Sequence, residues 1–98
     1  MGSDATFDNL LCAITFARTH DLTSAHRIHC MQRRPDGRFA KAGTISMAGY
    51  SFQVQSGTEM LTFEYEPDSA AIVLEWFRTL TYRPTRFDVY LNKAWRVT

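Results

Sequence analysis

His26, His29 and Cys30 place three side chains suited to metal or proton chemistry within five residues. Imidazole nitrogens and a thiolate are ordinary zinc donors, and a thiol beside an imidazole is half of a nucleophilic dyad. The spacing argues against both uses. On a strand, His26 and His29 point to opposite faces. On a helix they share a face, but no CxxC pair or HExxH motif supplies further ligands, and Cys12 would have to join from another element. Cys12 with His20 is a second imaginable dyad, again with nothing to orient it. No GxSxG elbow, P-loop or GxGxxG occurs. Glu64 and Glu66, with Glu59 nearby, offer paired carboxylates, which read more simply as solvated surface charge. The expectation is a chain without catalytic residues, metal or cofactor: not an enzyme.

Charge is distributed in blocks. Asp4, Asp8 and Asp21 outnumber Arg18 at the start; Arg27, Arg33, Arg34, Arg38 and Lys41 follow against Asp36. Glu59, Glu64, Glu66, Asp68 and Glu75 form an acidic stretch, and Arg78, Arg83, Arg86, Lys93 and Arg96 close the chain against Asp88. The net charge is only +1. Nine of the eleven cations are arginine, whose planar fork suits carboxylate and phosphate. Separated blocks suit electrostatic docking, so the expected partner-binding residues are Arg33, Arg34, Arg38 and Lys41 on the basic side and Glu59, Glu64 and Glu66 on the acidic side. A protein partner is expected first. Nucleic acid, held by an Arg-rich hairpin at 33–41, is the alternative, although a pI near 7.8 lacks the usual strongly basic footprint.

These residues must be positioned by a small set of elements. Phe7, Leu10, Leu11, Ile14 and Ala17 recur at helical spacing, predicting a helix over 5–19 capped by Asp4 or Thr6. Residues 25–33 read as strand or helix: Thr23-Ser24 can cap a helix, but Arg34-Pro35-Asp36-Gly37-Arg38 is a strong turn signal favouring a hairpin with strands near 26–33 and 39–47. Tyr50, Phe52 and Val54 alternate with polar residues, as do Leu61, Phe63 and Tyr65. A Ser56-Gly57 loop between them would pair Phe52 with Leu61 and Tyr50 with Phe63. Pro67-Asp68-Ser69 opens a helix running to about Thr81, with Ala70, Val73, Leu74, Phe77 and Leu80 as its packing stripe, widened by Ile72 and Trp76. Phe87, Val89 and Leu91 mark a final strand that Trp95 to Val97 continues or folds back on. The fold expected is α+β: a mainly antiparallel sheet of about four to five strands with two helices packed on one face, in the order α-β-β-β-β-α-β.

Ninety-eight residues, 45% hydrophobic and 21% charged, suit one domain spanning 1–98 with its own core. No apolar run nears the roughly 20 residues of a membrane span, and no basic leader precedes an apolar stretch. A cytoplasmic protein is expected, with Cys12 and Cys30 as buried, reduced thiols.

Val54-Gln55-Ser56-Gly57-Thr58, the following strand, Asp68-Ser69-Ala70 and then Trp76 together resemble a segment of a small phage-encoded anti-CRISPR family that inhibits type I-F systems. The resemblance covers about a quarter of the chain, and that inhibitor is strongly acidic where this chain is nearly neutral. It implies a phage protein, acting in the host cytoplasm, that docks on a CRISPR effector complex and blocks it. No individual functional residue carries over. The expected function is that of a small non-enzymatic binding protein or inhibitor docking on a larger macromolecular complex.

Overall fold

A computed structural model describes residues 2–20 and 25–92 of the chain. The elements run β1 (Ala5–Phe7), α1 (Leu10–Arg18), β2 (His26–Arg33), β3 (Phe39–Ala48), β4 (Ser51–Ser56), β5 (Glu59–Glu64), α2 (Ser69–Thr79) and β6 (Arg86–Tyr90). All six strands join one sheet in the order β1-β6-β2-β3-β4-β5, every neighbour antiparallel. The α+β class is as expected, with six strands rather than four to five.

The additional strand comes from the N-terminal segment, where helical periodicity had extended too far. Ala5 pairs with Val89 and Phe7 with Phe87, and the Thr6 hydroxyl donates to Asp88 Oδ1 at 3.1 Å. The helix starts later. Asn9 sits in extended conformation and its side chain accepts from the Cys12 N–H at 3.2 Å, so Asn9, not Asp4 or Thr6, is the N-cap. Starting there, the helix turns Leu10, Ala13, Ile14 and Ala17 inward, while Leu11 is 48% exposed and Cys12 faces out.

Residues 26–33 form a strand. The turn after it closes as its residues dictate: the Arg34 N–H donates to the Arg38 carbonyl at 2.7 Å, Gly37 takes φ 88°, and the Asp36 carboxylate accepts the Arg38 N–H at 2.9 Å. The Thr23-Ser24 cap and the 95–97 continuation lie outside the described residues.

The β4–β5 hairpin keeps its apolar face but not the expected register. Its loop is Gly57-Thr58, with Gly57 at φ 59°, so Ser56 pairs with Glu59, Val54 with Leu61 and Phe52 with Phe63. Glycine at the first loop position is the signature of a type II′ turn. The slip is two residues along the pair, which leaves every side chain on its predicted face. Phe52 is buried and Phe63 and Tyr65 pack on it, but Tyr50 is 68% exposed.

At the middle of the sheet β3 carries a bulge: Cys30 lies opposite Gly43, the next β2 residue, Met31, opposite Lys41, and Ala42 is the extra residue. The buried Ser56 hydroxyl donates to the Ala42 carbonyl at 2.7 Å, satisfying an acceptor the bulge displaces from the ladder.

Asp68 precedes α2 without a side-chain cap; the Ser69 hydroxyl instead accepts the Glu66 N–H at 2.7 Å. The helix ends in a Schellman arrangement, with Tyr82 N–H to the Phe77 carbonyl and Thr81 N–H to the Arg78 carbonyl. Val73 and Phe77 are buried, while Ile72 is partly turned to solvent.

Both helices cover the same side of the sheet. Ile28, Ile45, Val54, Val89 and Phe52 face them and form the core with Leu10, Ile14, Val73 and Phe77. Among the described residues, no helix lies over the opposite side of the sheet. Among the described residues no helix is long and apolar enough to cross a membrane.

The candidate functional site: an open sheet face

Strand alternation decides which side chains reach the uncovered face. On β2 they are Arg27, His29, Met31 and Arg33, since His26, Ile28 and Cys30 are buried toward the helices. The registers then carry the face across the sheet. Arg27 lies opposite Tyr90 on β6 and Ser46 on β3; His29 lies opposite Asp88 and Thr44; Met31 lies opposite Arg86 and Lys41. Gln53 and Gln55 follow on β4, opposite Ser46 and Thr44. A depression of about 250 Å³ opens among Arg27, His29, Lys41 and these short polar residues.

Two structures hold the face in shape. The first is an aromatic pair: His29 and Tyr90 sit diagonally across β2 and β6 with ring centroids 4.4 Å apart and planes tilted by 43°. The second is built on Phe39 at the start of β3, with the guanidinium of Arg86 4.3 Å and that of Arg33 5.2 Å from its ring centroid. Arg86 also reaches Asp88 Oδ2 at 3.2 Å, and Asp88 is almost fully buried between Arg86 and Thr6. Asp88, the carboxylate at the centre of the face among the described residues, is therefore already engaged.

The cations around it are not. Among the described residues, no ion pair joins Arg27, Arg33 or Lys41 to a carboxylate. Their effect registers on His29. Its pKa lies below the ordinary value because burial disfavours the imidazolium, Lys41 and Arg27 repel it further, and Asp88 offsets this in part. His29 is accordingly neutral at pH 7.

The sequence-predicted docking residues divide between several places. Arg33 and Lys41 stand on the open face. Arg34 and Arg38 are exposed at the tip of the β2–β3 hairpin and extend the basic strip beyond the sheet. The three glutamates do not gather. Glu59 and Glu64 begin and end β5, and the odd number of steps between them puts them on opposite faces, Glu64 on the open one. Glu66 lies in the approach to α2. Arg27, Arg86 and the His29–Tyr90 pair were missed. The alternation of Arg27 and His29 with Ile28 and Cys30 was there to be read, but the pairing of β2 with β6 had no local signal.

The supposed chemical cluster comes apart. His26 is buried on the helix side, where its Nδ1 accepts the Asn92 N–H at 2.9 Å, and His29 faces the other way. Cys30 is buried among apolar groups, which pushes its thiol pKa far above the ordinary value and leaves it unreactive. Cys12 is exposed on α1, contrary to the expectation of burial. Among the described residues no group of three or more His, Cys, Asp or Glu side chains is placed to hold a metal ion.

The chain matches no family model, no curated protein and no solved structure.

Proposed function

We propose that this chain is a non-enzymatic binding protein that docks on a larger macromolecular assembly through the open face of its sheet. The observation that carries this reading is the face itself: a sheet surface that, among the described residues, has no helix over it and on which Arg27, Arg33 and Lys41 stand without carboxylate partners beside neutral hydrogen-bonding side chains. Such a surface is electrostatically complementary to an anionic partner. The burial of Cys30 away from His29 supports recognition over nucleophilic chemistry. The resemblance at 54–76 makes a type I-F CRISPR effector complex the specific assembly to test, as the target of an inhibitor.

The surface is tested by titrating a heparin oligosaccharide, a polyanion without bases, into isotope-labelled protein and mapping amide shifts. Perturbations should centre on Arg27–Met31, Lys41–Ser46 and Arg86–Tyr90. Perturbations confined to the helix side, or none at low salt, would overturn the assignment. The effector reading predicts that the protein binds a purified type I-F surveillance complex and that the double variant R27E/K41E loses this binding. Absence of binding by the unmodified protein would remove that partner.

A further inference from the structure

The open face holds a feature that polyanion docking does not require. Amid the cations, Tyr90 and His29 form an aromatic pair that remains partly exposed, with Thr44, Ser46, Gln53 and Gln55 beside it on the sheet. An aromatic residue at a sheet position is ordinarily turned inward, as Phe52 and Phe87 are here. Tyr90 instead lies on the solvent side, opposite Arg27. Partly exposed aromatic rings flanked by guanidinium and ammonium groups have a chemical complement: a flat, electron-rich ring attached to a negatively charged backbone.

We propose that the open sheet face binds single-stranded nucleic acid, with the Tyr90–His29 pair as the stacking platform for a base and Arg27, Lys41 and Arg33 as phosphate contacts. The proposal rests on the docking surface assigned above and names its ligand. A single strand fits better than a duplex for two reasons. Stacking needs base faces, which a duplex keeps inside. The surface is also the face of a six-stranded sheet, broader than the helix or two-stranded ribbon that a major groove admits.

The remaining side chains fit the same ligand. Thr44, Ser46, Gln53 and Gln55 line the depression beside His29 and offer hydrogen bonds to base edges without adding charge. Burial and the flanking cations keep His29 neutral, so its ring stacks without attracting carboxylates. Arg33 leads from the sheet to Arg34 and Arg38 at the hairpin tip, so the basic track continues past the platform along the strand axis of β2. Thus the basic hairpin acts as an extension of the sheet surface.

The test is fluorescence anisotropy with a labelled oligothymidylate of about 12 nucleotides, within the site size of single-strand binders, and a duplex of the same length. At about 50 mM salt the single strand should bind more tightly than the duplex, and its affinity should fall linearly with the logarithm of salt concentration. Tyr90→Ala should weaken it roughly five-fold or more, the lower end of a base–aromatic stack, while Tyr90→Phe stays within about two-fold. Because Tyr90→Ala removes ring packing on β6, Tyr90→Leu serves as a second probe: it retains apolar bulk but has no π-face, and should behave like the alanine variant. Arg27→Gln and Lys41→Gln should each lower the salt slope by about 0.7, the contribution of one phosphate contact on a single strand. Failure of the oligothymidylate to bind, equal affinity for duplex, or full affinity in Tyr90→Leu would overturn the proposal. If heparin perturbs the open face while the oligothymidylate does not bind, this inference fails and the docking surface stands. If neither binds, both fail.

Discussion

The ring of Phe77 occupies the space in which a side chain on Gly43 would lie. A Cβ built on Gly43 would fall 2.7 Å from Phe77 Cε1 and 2.6 Å from the Gln55 carbonyl oxygen. Phe77 thereby reaches the sheet at the bulge, and α2 is seated on backbone at that point. Substituting Gly43→Ala should force the helix or β4 to move and destabilise the protein by about 1–3 kcal/mol, the usual cost of overpacking a filled core. Thermal or urea denaturation reads this directly. An unchanged midpoint would show that the helix shifts at no cost.

The two helix starts make opposite predictions for residues that look alike in sequence. Asn9 accepts the Cys12 N–H, so Asn9→Ala should cost about 1 kcal/mol. Asp68 makes no capping bond, so Asp68→Ala should cost only a few tenths of a kcal/mol. Equilibrium unfolding of the two variants side by side decides the matter, and a larger loss at Asp68 would contradict the cap geometry.

At the other end of α2, Thr81 holds φ 66° as the left-handed residue of the Schellman arrangement. A β-branched side chain is strained there, and glycine is not. Thr81→Gly should raise stability by about 1 kcal/mol, seen as a higher denaturation midpoint. A loss of stability would mean that the threonine side chain contributes more than its backbone conformation costs.

Acid should weaken the fold through His29. Its folded pKa lies below the unfolded value of 6.5, chiefly from burial, with Lys41 and Arg27 adding and Asp88 opposing. The unfolded chain therefore takes up a proton more readily. The stability associated with neutral His29 is complete above pH 6.5 and is lost as pH falls from 6.5 through the folded pKa. Melting temperatures at about pH 7.5 and about pH 5, on either side of the ordinary histidine pKa, should fall further for the wild type than for His29→Gln. Equal losses would place the acid sensitivity elsewhere.

The two thiols should separate cleanly. Cys12 is exposed on α1 and Cys30 is buried with its thiolate disfavoured. A chromogenic disulfide reagent should titrate Cys12 rapidly in the native protein and reach Cys30 only on unfolding. Fast reaction of both would show that β2 opens readily.

Local chemistry carried most of what the sequence revealed. Pro35-Asp36-Gly37 and the alternation around Phe52 and Phe63 announce hairpins because a turn and its flanking strands are encoded in neighbouring residues. The hairpin register slipped by two because Ser56-Gly57 and Gly57-Thr58 both satisfy a two-residue loop, and both leave the same face buried. Ala5–Phe7 was absorbed into the helix since its apolar residues also suit helical spacing; only its pairing with β6 distinguishes the two. The open face was hidden for the same reason. Arg27 and His29 meet Tyr90 only once β6 takes its place beside β2.

That placement of β6 has a kinetic consequence. Among the described residues β1 pairs with β6 alone, and Thr6 meets Asp88 across 82 residues of chain. During synthesis, β2 through β5 can zip together as successive hairpins while Tyr90 is still inside the ribosome. β1 must wait unpaired until β6 emerges and inserts between it and β2. Closing so long a loop is slow, so the half of the surface that bears Tyr90 should be the last part of this protein to acquire its shape.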